Sequence, residues 1–298
     1  QARVSKIAHP AEAVVAGSAF AYSPEMTQTL TIEQIAKAIP DGSLVAIPPD
    51  YSGCAMEAVR ALIRRGARDL RLVGVPSGGF QADMMIGADC VQAVEAAAMT
   101  LGEYGAAPRF VAAFKAGDLV MRDATCPAIH AGLQAAEKGI PFLPLRGLIG
   151  SDILAHRPDW KLMDNPFSTV DDKLVALPAI QPDVALFHAA KADKRGNVWI
   201  GVRRELMLMA HAARQTLVTV EEIVDEDLLA DPVVAAGTIP GLYITGIAEA
   251  RNGAWPVGLP GCYPPDHTHL ADYAAMARTE DGFADYMQQH ILTAPAAA

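Results

Sequence analysis

The sequence predicts an α/β fold: an open, mostly parallel sheet with flanking helices. Short apolar runs of strand length alternate with segments whose apolar residues recur at helical spacing. The first strand, helix and second strand fit within about thirty residues, which is typical of a right-handed β-α-β unit. Hydrophobic residues make up 51% of the chain and charged residues 19%, as expected of a folded globular protein.

The first elements have recognisable ends. TIEQIAKAI predicts a helix that the turn PDGS terminates, and LVAIPP predicts a buried strand. CAMEAVRALIRRG predicts a helix that presents Ala55, Val59 and Leu62 on one face and ends at Gly66, a C-terminal cap. DLRLVGV then predicts the next strand, which pairs in parallel with the first.

The same alternation continues to the C-terminus. Further helices are predicted in HAGLQAAEKGI, RELMLMAHAAR, HLADYAAMA and FADYMQQHI. Further strands are predicted in DKLVALPAI, PDVALFHAA, NVWI, QTLVTVEEI and GLYITGIAEA. No low-complexity linker divides the chain, so we expect one domain over residues 26–298 behind an N-terminal extension, residues 1–25.

The N-terminal extension has a faint likeness to a secretory signal. Arg3 and Lys6 precede the small and apolar run AVVAGSAFAYS, but Pro10 and Glu12 interrupt the apolar part. We therefore expect a cytoplasmic protein.

Charge and cysteine usage exclude several classes of function. The formal net charge of −10 argues against nucleic acid as a partner, since phosphate backbones need a basic face. No apolar run approaches the roughly 18 residues of a membrane span, so no membrane partner is expected. The four cysteines form no CxxC pair, which predicts free thiols in a reducing compartment: Cys54, Cys90, Cys126 and Cys262.

The common catalytic motifs are not found. VGVPSGGF follows a strand, but it is not GxGxxG, and no helix is predicted directly after it. The chain has no GxxxxGK[ST] phosphate loop, no GxSxG and no HExxH. His267 and His269 in DHTH have no third ligand in view, so a solvated loop is predicted there and no metal site.

Loops that follow strands are the expected binding region, because ligands of open α/β sheets bind at the carboxyl ends of strands. One such loop contains Ser77, Gly78, Gly79 and Phe80. Its glycines allow a backbone to run close to a ligand and offer unhindered N–H groups to an oxyanion.

Two further loops follow apolar runs. LGEYG places Glu103 between Gly102 and Gly105, either as a catalytic carboxylate or as a solvated turn residue. GLIGSD, which follows PFLPLR, contains Gly150 and Ser151.

Several segments resemble, in order and spacing, the α subunit of the family I coenzyme A (CoA) transferases, and most closely the glutaconate CoA-transferase branch. They are SGGFQADMMIGAD, MTLGEYGAAPRF, GIPFLPLRGLIGSDIL, PDVALFHAAKADKRGNVWIG, LVTVEEIV and GAWPVGLPGCY. The resemblance covers nearly the whole chain from about Met26 onward. It implies a NagB/RpiA/CoA transferase-like fold in which both subunits have the same open α/β sheet.

The resemblance also implies a reaction. Members of this family move CoA from an acyl-CoA to a carboxylic acid; a glutamate attacks the thioester, forms an acyl anhydride and then carries CoA as a glutamyl thioester. CoA is then a substrate, and no tightly bound cofactor or metal is implied. The nucleophilic glutamate normally belongs to a partner β subunit, in an ExG context, so the expected assembly is a hetero-oligomer (αβ)n.

Glu103 lies in an ExG sequence of its own, Glu103-Tyr104-Gly105. Three interpretations remain open at this point. Glu103 lines the subunit interface or positions substrate, or it is a structural turn residue, or this chain works alone and Glu103 is the nucleophile.

The resemblance places other residues near substrate or CoA. They are Ser77, Gly78, Gly79, Phe80, Gly150, Ser151 and Asp123, the last where relatives often carry an acidic group. Asp123 is equally well placed to cap the helix before PAIHAGL, and Ser151 and Asp152 to cap ILAH. Glu221 or Glu222, after the strand LVTV, faces either the strand-end crevice or an interface lysine.

The chain departs from the family in IPPDYSGCA, where many relatives have a glycine-rich turn. Pro48 and Pro49 stiffen this loop and remove two N–H donors. The substrate of the relatives therefore cannot be assigned to this chain. Three alternatives to a transferase of small or dicarboxylic acyl groups remain: a CoA-ester hydrolase, including a ring-opening one, a non-catalytic subunit that completes a partner's site, and a sugar-phosphate isomerase. The lack of a phosphate loop argues against the last.

Overall fold

A computed structural model describes residues 27–293 of the chain. The predicted N-terminal extension and Met26 lie outside the described residues.

The strands, in chain order, are β1 (Gln28–Thr29), β2 (Leu44–Ile47), β3 (Leu70–Gly74), β4 (Val91–Ala96), β5 (Val120–Asp123), β6 (Phe142–Leu145), β7 (Lys161–Asp164), β8 (Lys173–Pro178), β9 (Val184–Asp193), β10 (Val198–Trp199), β11 (Gln215–Val224), β12 (Thr238–Ile239) and β13 (Gly246–Glu249). The α-helices are α1 (Ile32–Lys37), α2 (Met56–Arg65), α3 (Phe80–Gly87), α4 (Pro108–Ala116), α5 (Cys126–Glu137), α6 (Ile153–His156), α7 (Arg204–Ala212), α8 (Pro232–Ala235), α9 (His267–Met276) and α10 (Glu280–Met287).

The main sheet confirms the predicted open, mostly parallel architecture. Its strand order is β1-β13-β11-β9-β2-β3-β4-β5, and every pair along this path is parallel. Strand β10 adds an antiparallel pair on β9 and also pairs with β12. The carboxyl ends of β2, β3 and β4 therefore lie along one edge, as parallel pairing requires.

A second, smaller sheet was not predicted. Strands β6, β8 and β7 pair antiparallel in that order, so the segment DKLVALPAI, expected as one more strand, forms the centre of this sheet. The apolar pattern of β8 predicts a strand but does not reveal which partners it pairs with, since strand preference depends on the neighbours with which a strand packs.

Two clusters of buried side chains cover the two faces of the main sheet. One includes Leu62 of α2, Met84 of α3 and Tyr273 of α9. The other includes Ile129 of α5 and Met209 of α7. Burial on both faces explains why the central strands β2 and β9 are almost continuously apolar in sequence.

Helix ends agree with the sequence in one case and correct it in another. Gly66 caps α2 in the left-handed conformation, with φ of +71°, as predicted. The cap of α5 is Thr125, whose side chain accepts a hydrogen bond from the N–H of Ala128, so the expected cap at Asp123 is wrong. Asp123 ends strand β5, too early in the chain to cap α5.

Asp83 is a buried carboxylate that joins three helices. It lies on α3 with no exposed surface, and it accepts hydrogen bonds from the N–H of Phe110 on α4 (2.8 Å) and the hydroxyl of Tyr273 on α9 (2.8 Å). Burial raises the pKa of Asp83 to about 6, although these hydrogen bonds act in the opposite direction.

The raised pKa predicts a pH-dependent stability. The unfolded chain ionises Asp83 near its ordinary pKa of 3.8, whereas the folded chain does so near 6, so stability is lost as pH rises between these values. In Asp83→Asn, which cannot ionise there, we expect the free energy of unfolding relative to wild type to rise by about 2 kcal/mol between pH 4 and pH 6.5. Urea denaturation at both pH values measures this difference, and an unchanged difference would contradict the assignment.

Candidate active site

A cleft of about 380 Å³ opens where β3 and β4 end. The loops after both strands meet there, because Gly78 forms a bridge to Met99. The start of α9 closes a further side. The lining residues are Pro49, Asp50, Tyr51, Ser77, Gly78, Gly79, Phe80, Thr100, Leu101, Gly102, Glu103, Tyr104, Val257, Pro265, His267 and Leu270.

The glycine loop is packed closely against Asp50. A Cβ atom on Gly79 would lie 2.0 Å from Oδ2 of Asp50, so only glycine fits here without displacing its neighbour. The N–H of Phe80 donates to both carboxylate oxygens of Asp50, at 3.1 and 3.2 Å. Helix α3 begins at Phe80, so the expectation that no helix follows the glycine loop is wrong.

Asp50 is a half-buried carboxylate that caps helix α3 from a different loop. Burial raises its pKa to about 6, and the hydrogen bond from Phe80 opposes this change. The Cys54 thiol lies 3.7 Å from Oδ1 of Asp50 and is itself fully buried. The loop after β2, within IPPDYSGCA, thus places a carboxyl group inside the cleft.

Glu103 lies in a 3₁₀ turn, Gly102–Tyr104, that forms one rim of the cleft. Gly102 and Gly105 both have positive φ, +62° and +101°, which explains the glycine on each side of the glutamate. The side chain of Glu103 is 70% exposed, and its Oε1 lies 3.2 Å from Nδ1 of His267. The Tyr104 hydroxyl lies 2.6 Å from the same nitrogen, so three polar groups meet at this rim.

The structure brings together five of the sequence-predicted site residues and leaves three elsewhere. Those in the cleft are Ser77, Gly78, Gly79, Phe80 and Glu103. Asp123, Gly150 and Ser151 are not among its lining residues.

Local structure accounts for the position of these three residues. Asp123 is exposed at the end of the edge strand β5, and its carbonyl accepts a hydrogen bond from Arg157. Gly150 and Ser151 belong to the turn before α6, where the Ser151 hydroxyl accepts from the N–H of Ile153 (3.3 Å). Their contact with substrate or CoA stays a prediction.

Sequence reasoning missed His267, Tyr104 and Asp50 as cleft residues. His267 is the first residue of α9, so its assignment to a solvated loop is wrong. The residues from 27 to 293 contain no group of three potential metal ligands. The DHTH segment draws attention to His267 as a candidate, but nothing in its sequence predicts that His267 contacts the LGEYG turn.

Glu221 lies within β11, outside the cleft, and joins this strand to β9 and to the segment that follows β13. Its carboxylate accepts from Nε2 of the fully buried His188 (2.7 Å), the hydroxyl of Tyr263 (2.7 Å), and the N–H groups of Asn252 (2.7 Å) and Gly253 (3.1 Å). Burial alone would raise the pKa of Glu221, but the hydrogen bonds, led by His188, hold it below its ordinary value. Among the residues that the structure describes, the partners of Glu221 are therefore intramolecular, and none is a lysine.

An α/β sheet with a cleft at the carboxyl ends of its strands, lined by apolar side chains and a few polar groups, is typical of an enzyme. A family model described as Coenzyme A transferase matches residues 29–250. The chain belongs to the coenzyme A transferase family, as its sequence motifs predicted.

Individual relatives carry different activities in their names. The chain is 32% identical over 288 residues to one of the subunits of the glutaconate CoA-transferase of Acidaminococcus fermentans, covering 89% of this chain and 88% of that protein. It is 29% identical over 246 residues to the cholesterol ring-cleaving hydrolase IpdA subunit of Rhodococcus jostii, covering 79% and 82%. It also spans 58% of an uncharacterised protein of Archaeoglobus fulgidus, to which it is 31% identical over 263 residues.

The solved structure of glutaconate coenzyme A-transferase from Acidaminococcus fermentans has the same fold. The two superpose with a TM-score of 0.82 at 28% identity, over 90% of each chain.

Within residues 27–293, we find no helix with the length and apolar character that crossing a membrane requires. All four cysteines are free, with Cys54 and Cys90 buried and Cys126 and Cys262 exposed.

Proposed function

We propose that this chain is the α subunit of a heteromeric CoA transferase. It moves CoA between an acyl-CoA and a carboxylic acid through a glutamyl-CoA thioester, and the nucleophilic glutamate lies on a partner β subunit. The observation that carries this proposal is the cleft in which the glycine loop, residues 77–80, meets the rim that contains Glu103.

The reaction proceeds by exchange of acyl bonds. The partner's glutamate attacks the thioester carbonyl, forming an acyl anhydride and releasing the CoA thiolate. The thiolate then attacks the glutamyl carbonyl, giving a glutamyl-CoA thioester and the first carboxylic acid. A second carboxylate reverses the two steps and leaves as the new acyl-CoA. Both exchanges keep the acyl group activated only while water is excluded.

This chain contributes a wall that lies close to the reacting atoms. Its glycine loop offers fewer donors than the sequence suggested, because the N–H of Gly78 donates to Ala98 and that of Phe80 to Asp50. The N–H groups of Ser77 and Gly79 have no acceptor among the described residues. They are the groups of this loop that we propose for stabilising an oxyanion.

Glu103 has the position of a substrate-contacting or interface residue. Its side chain lies on an exposed rim beside His267 and is not held in a dry pocket, where a covalent intermediate would be protected from water. The structure therefore supports the first of the three interpretations over a structural turn residue, because the carboxylate lines the cleft.

Glu103→Gln is expected to lower kcat/KM about tenfold without abolishing transfer, since a positioning contact is lost but the nucleophile remains. Steady-state kinetics of the complex with acyl-CoA and acetate measure this change. Loss of more than about a thousandfold, with the complex intact, would instead assign the nucleophile to Glu103.

Hydrolysis of a CoA ester is the second candidate, favoured by the relative that is named a ring-cleaving hydrolase. In that reaction water replaces the second acid as the acyl acceptor. Acyl-CoA consumption that does not depend on added carboxylic acid would support hydrolysis and overturn the transferase.

Purification of the full chain from its own cells tests the heteromer directly. We expect a second subunit of similar size to copurify and to be required for CoA transfer. Full activity of this chain as a homo-oligomer would contradict the proposal.

A further inference from the structure

The charged groups that line the cleft are almost all acidic. Asp50 and Glu103 provide two carboxylates from opposite loops. Among the described residues, neither a lysine nor an arginine lines the cleft, and His267 is its sole basic side chain. This wall of the site therefore has little to attract a second negative charge on a substrate.

The groups that could bind an anion are already engaged. His267 lies 3.2 Å from Glu103 and 2.6 Å from the Tyr104 hydroxyl. The first N–H of helix α3, that of Phe80, donates to the carboxylate of Asp50. An incoming carboxylate would have to displace one of these acids or lie near it, and like charges at such short range repel.

Most of the remaining lining is apolar. Pro49, Val257, Pro265 and Leu270 contribute aliphatic surface, and Phe80 packs edge-on against Tyr104, with 5.6 Å between ring centroids. Such a surface gains free energy when it covers an apolar acyl chain, by removing both from water.

We propose that this cleft selects apolar acyl groups with no second carboxylate, and that Asp50 and Glu103 are the residues that reject dicarboxylic acyl groups. The inference rests on the proposed function, because it concerns the acyl-CoA bound in the same cleft. It separates this chain from its relative named for glutaconate.

A pair of acyl groups of equal length tests the selection. Pentanoyl-CoA and glutaryl-CoA both carry five acyl carbons and differ in a terminal methyl group or carboxylate. With acetate as acceptor and the chain in complex with its partner, we expect kcat/KM for pentanoyl-CoA to exceed that for glutaryl-CoA by about thirtyfold or more, from the repulsion of like charges at short range.

Two variants assign the selection to its residues. Asp50→Asn keeps a side-chain oxygen that can accept from the N–H of Phe80. Glu103→Gln removes a charge at an exposed position, so this variant is expected to fold even if Asp50→Asn does not. Each is expected to reduce the pentanoyl-to-glutaryl ratio about tenfold, whatever its effect on the rate itself. Asp285→Asn, which removes an exposed carboxylate on α10, is the matched control and should leave the ratio unchanged.

The possible outcomes are distinct. Transfer from both acyl-CoAs with a wild-type ratio near one, or a ratio that neither variant changes, would overturn the inference and leave the transferase standing. Transfer from neither would overturn the proposed function together with the inference.

Discussion

Gly79→Ala is expected to lower CoA transfer about a hundredfold with the chain still folded. Its new Cβ would lie 2.0 Å from Oδ2 and 2.4 Å from Cγ of Asp50, so the carboxylate must rotate away and its hydrogen bonds with Phe80 are lost. Without these hydrogen bonds we expect the glycine loop and the start of α3 to be displaced. A displacement of about 1 Å in a catalytic wall can cost a hundredfold in rate.

Two other glycines provide graded comparisons for this variant. A Cβ on Gly78 would meet the sulfur of Met99 at 2.5 Å, and this long side chain can move, so a smaller loss of activity is expected. A Cβ on Gly147 has no neighbour within 4 Å, and Gly147→Ala should be close to wild type. Kinetics and circular dichroism on the three variants check the order. Equal activity of Gly79→Ala and Gly147→Ala would show that this loop is not part of the active site.

Glu221→Ala is expected to destabilise the fold by about 3–5 kcal/mol. The substitution removes the acceptor of four hydrogen bonds and leaves the ring of His188 buried with an unsatisfied Nε2, together with two backbone N–H groups. Buried polar groups without partners account for losses of this size. The urea midpoint, followed by circular dichroism, measures the change.

The neighbouring glutamate, Glu222, offers a matched control for Glu221→Ala. Glu222 is exposed, so Glu222→Ala should change the free energy of unfolding by less than about 0.5 kcal/mol. If both variants were equally stable, the hydrogen bonds around Glu221 would contribute nothing to the fold, contrary to this account.

Local sequence patterns were sufficient to predict most strands of the main sheet and their parallel pairing. LVAIPP and DLRLVGV are short, mostly apolar and separated by a helix with a glycine cap, which favours parallel pairing through a right-handed crossover. Helix α3 escaped prediction because Phe80–Gly87 is buried on nearly every side and therefore has no apolar stripe to mark its period. The β6-β8-β7 sheet escaped because β6 and β7 have only four residues each and no clear alternation of apolar and polar side chains.

The site was predictable in part for the same physical reasons. Residues 77–80 and Glu103 follow strands that become neighbours in a parallel sheet, so a local rule brings them together. His267 reaches the same cleft only through the packing of α9, which no local pattern specifies. The resemblance to a family suggested Asp123, Gly150 and Ser151, but the fold of this chain does not place them in the cleft.

Identification of the glutamate that carries CoA shows which subunit supplies the nucleophile. The complex is incubated with pentanoyl-CoA, treated with borohydride to reduce the glutamyl thioester to an alcohol, and both chains are mapped by mass spectrometry. We expect the reduced glutamate on the partner subunit, with Glu103 of this chain unmodified. Reduction at Glu103, or at any glutamate of this chain in place of the partner, would contradict the account.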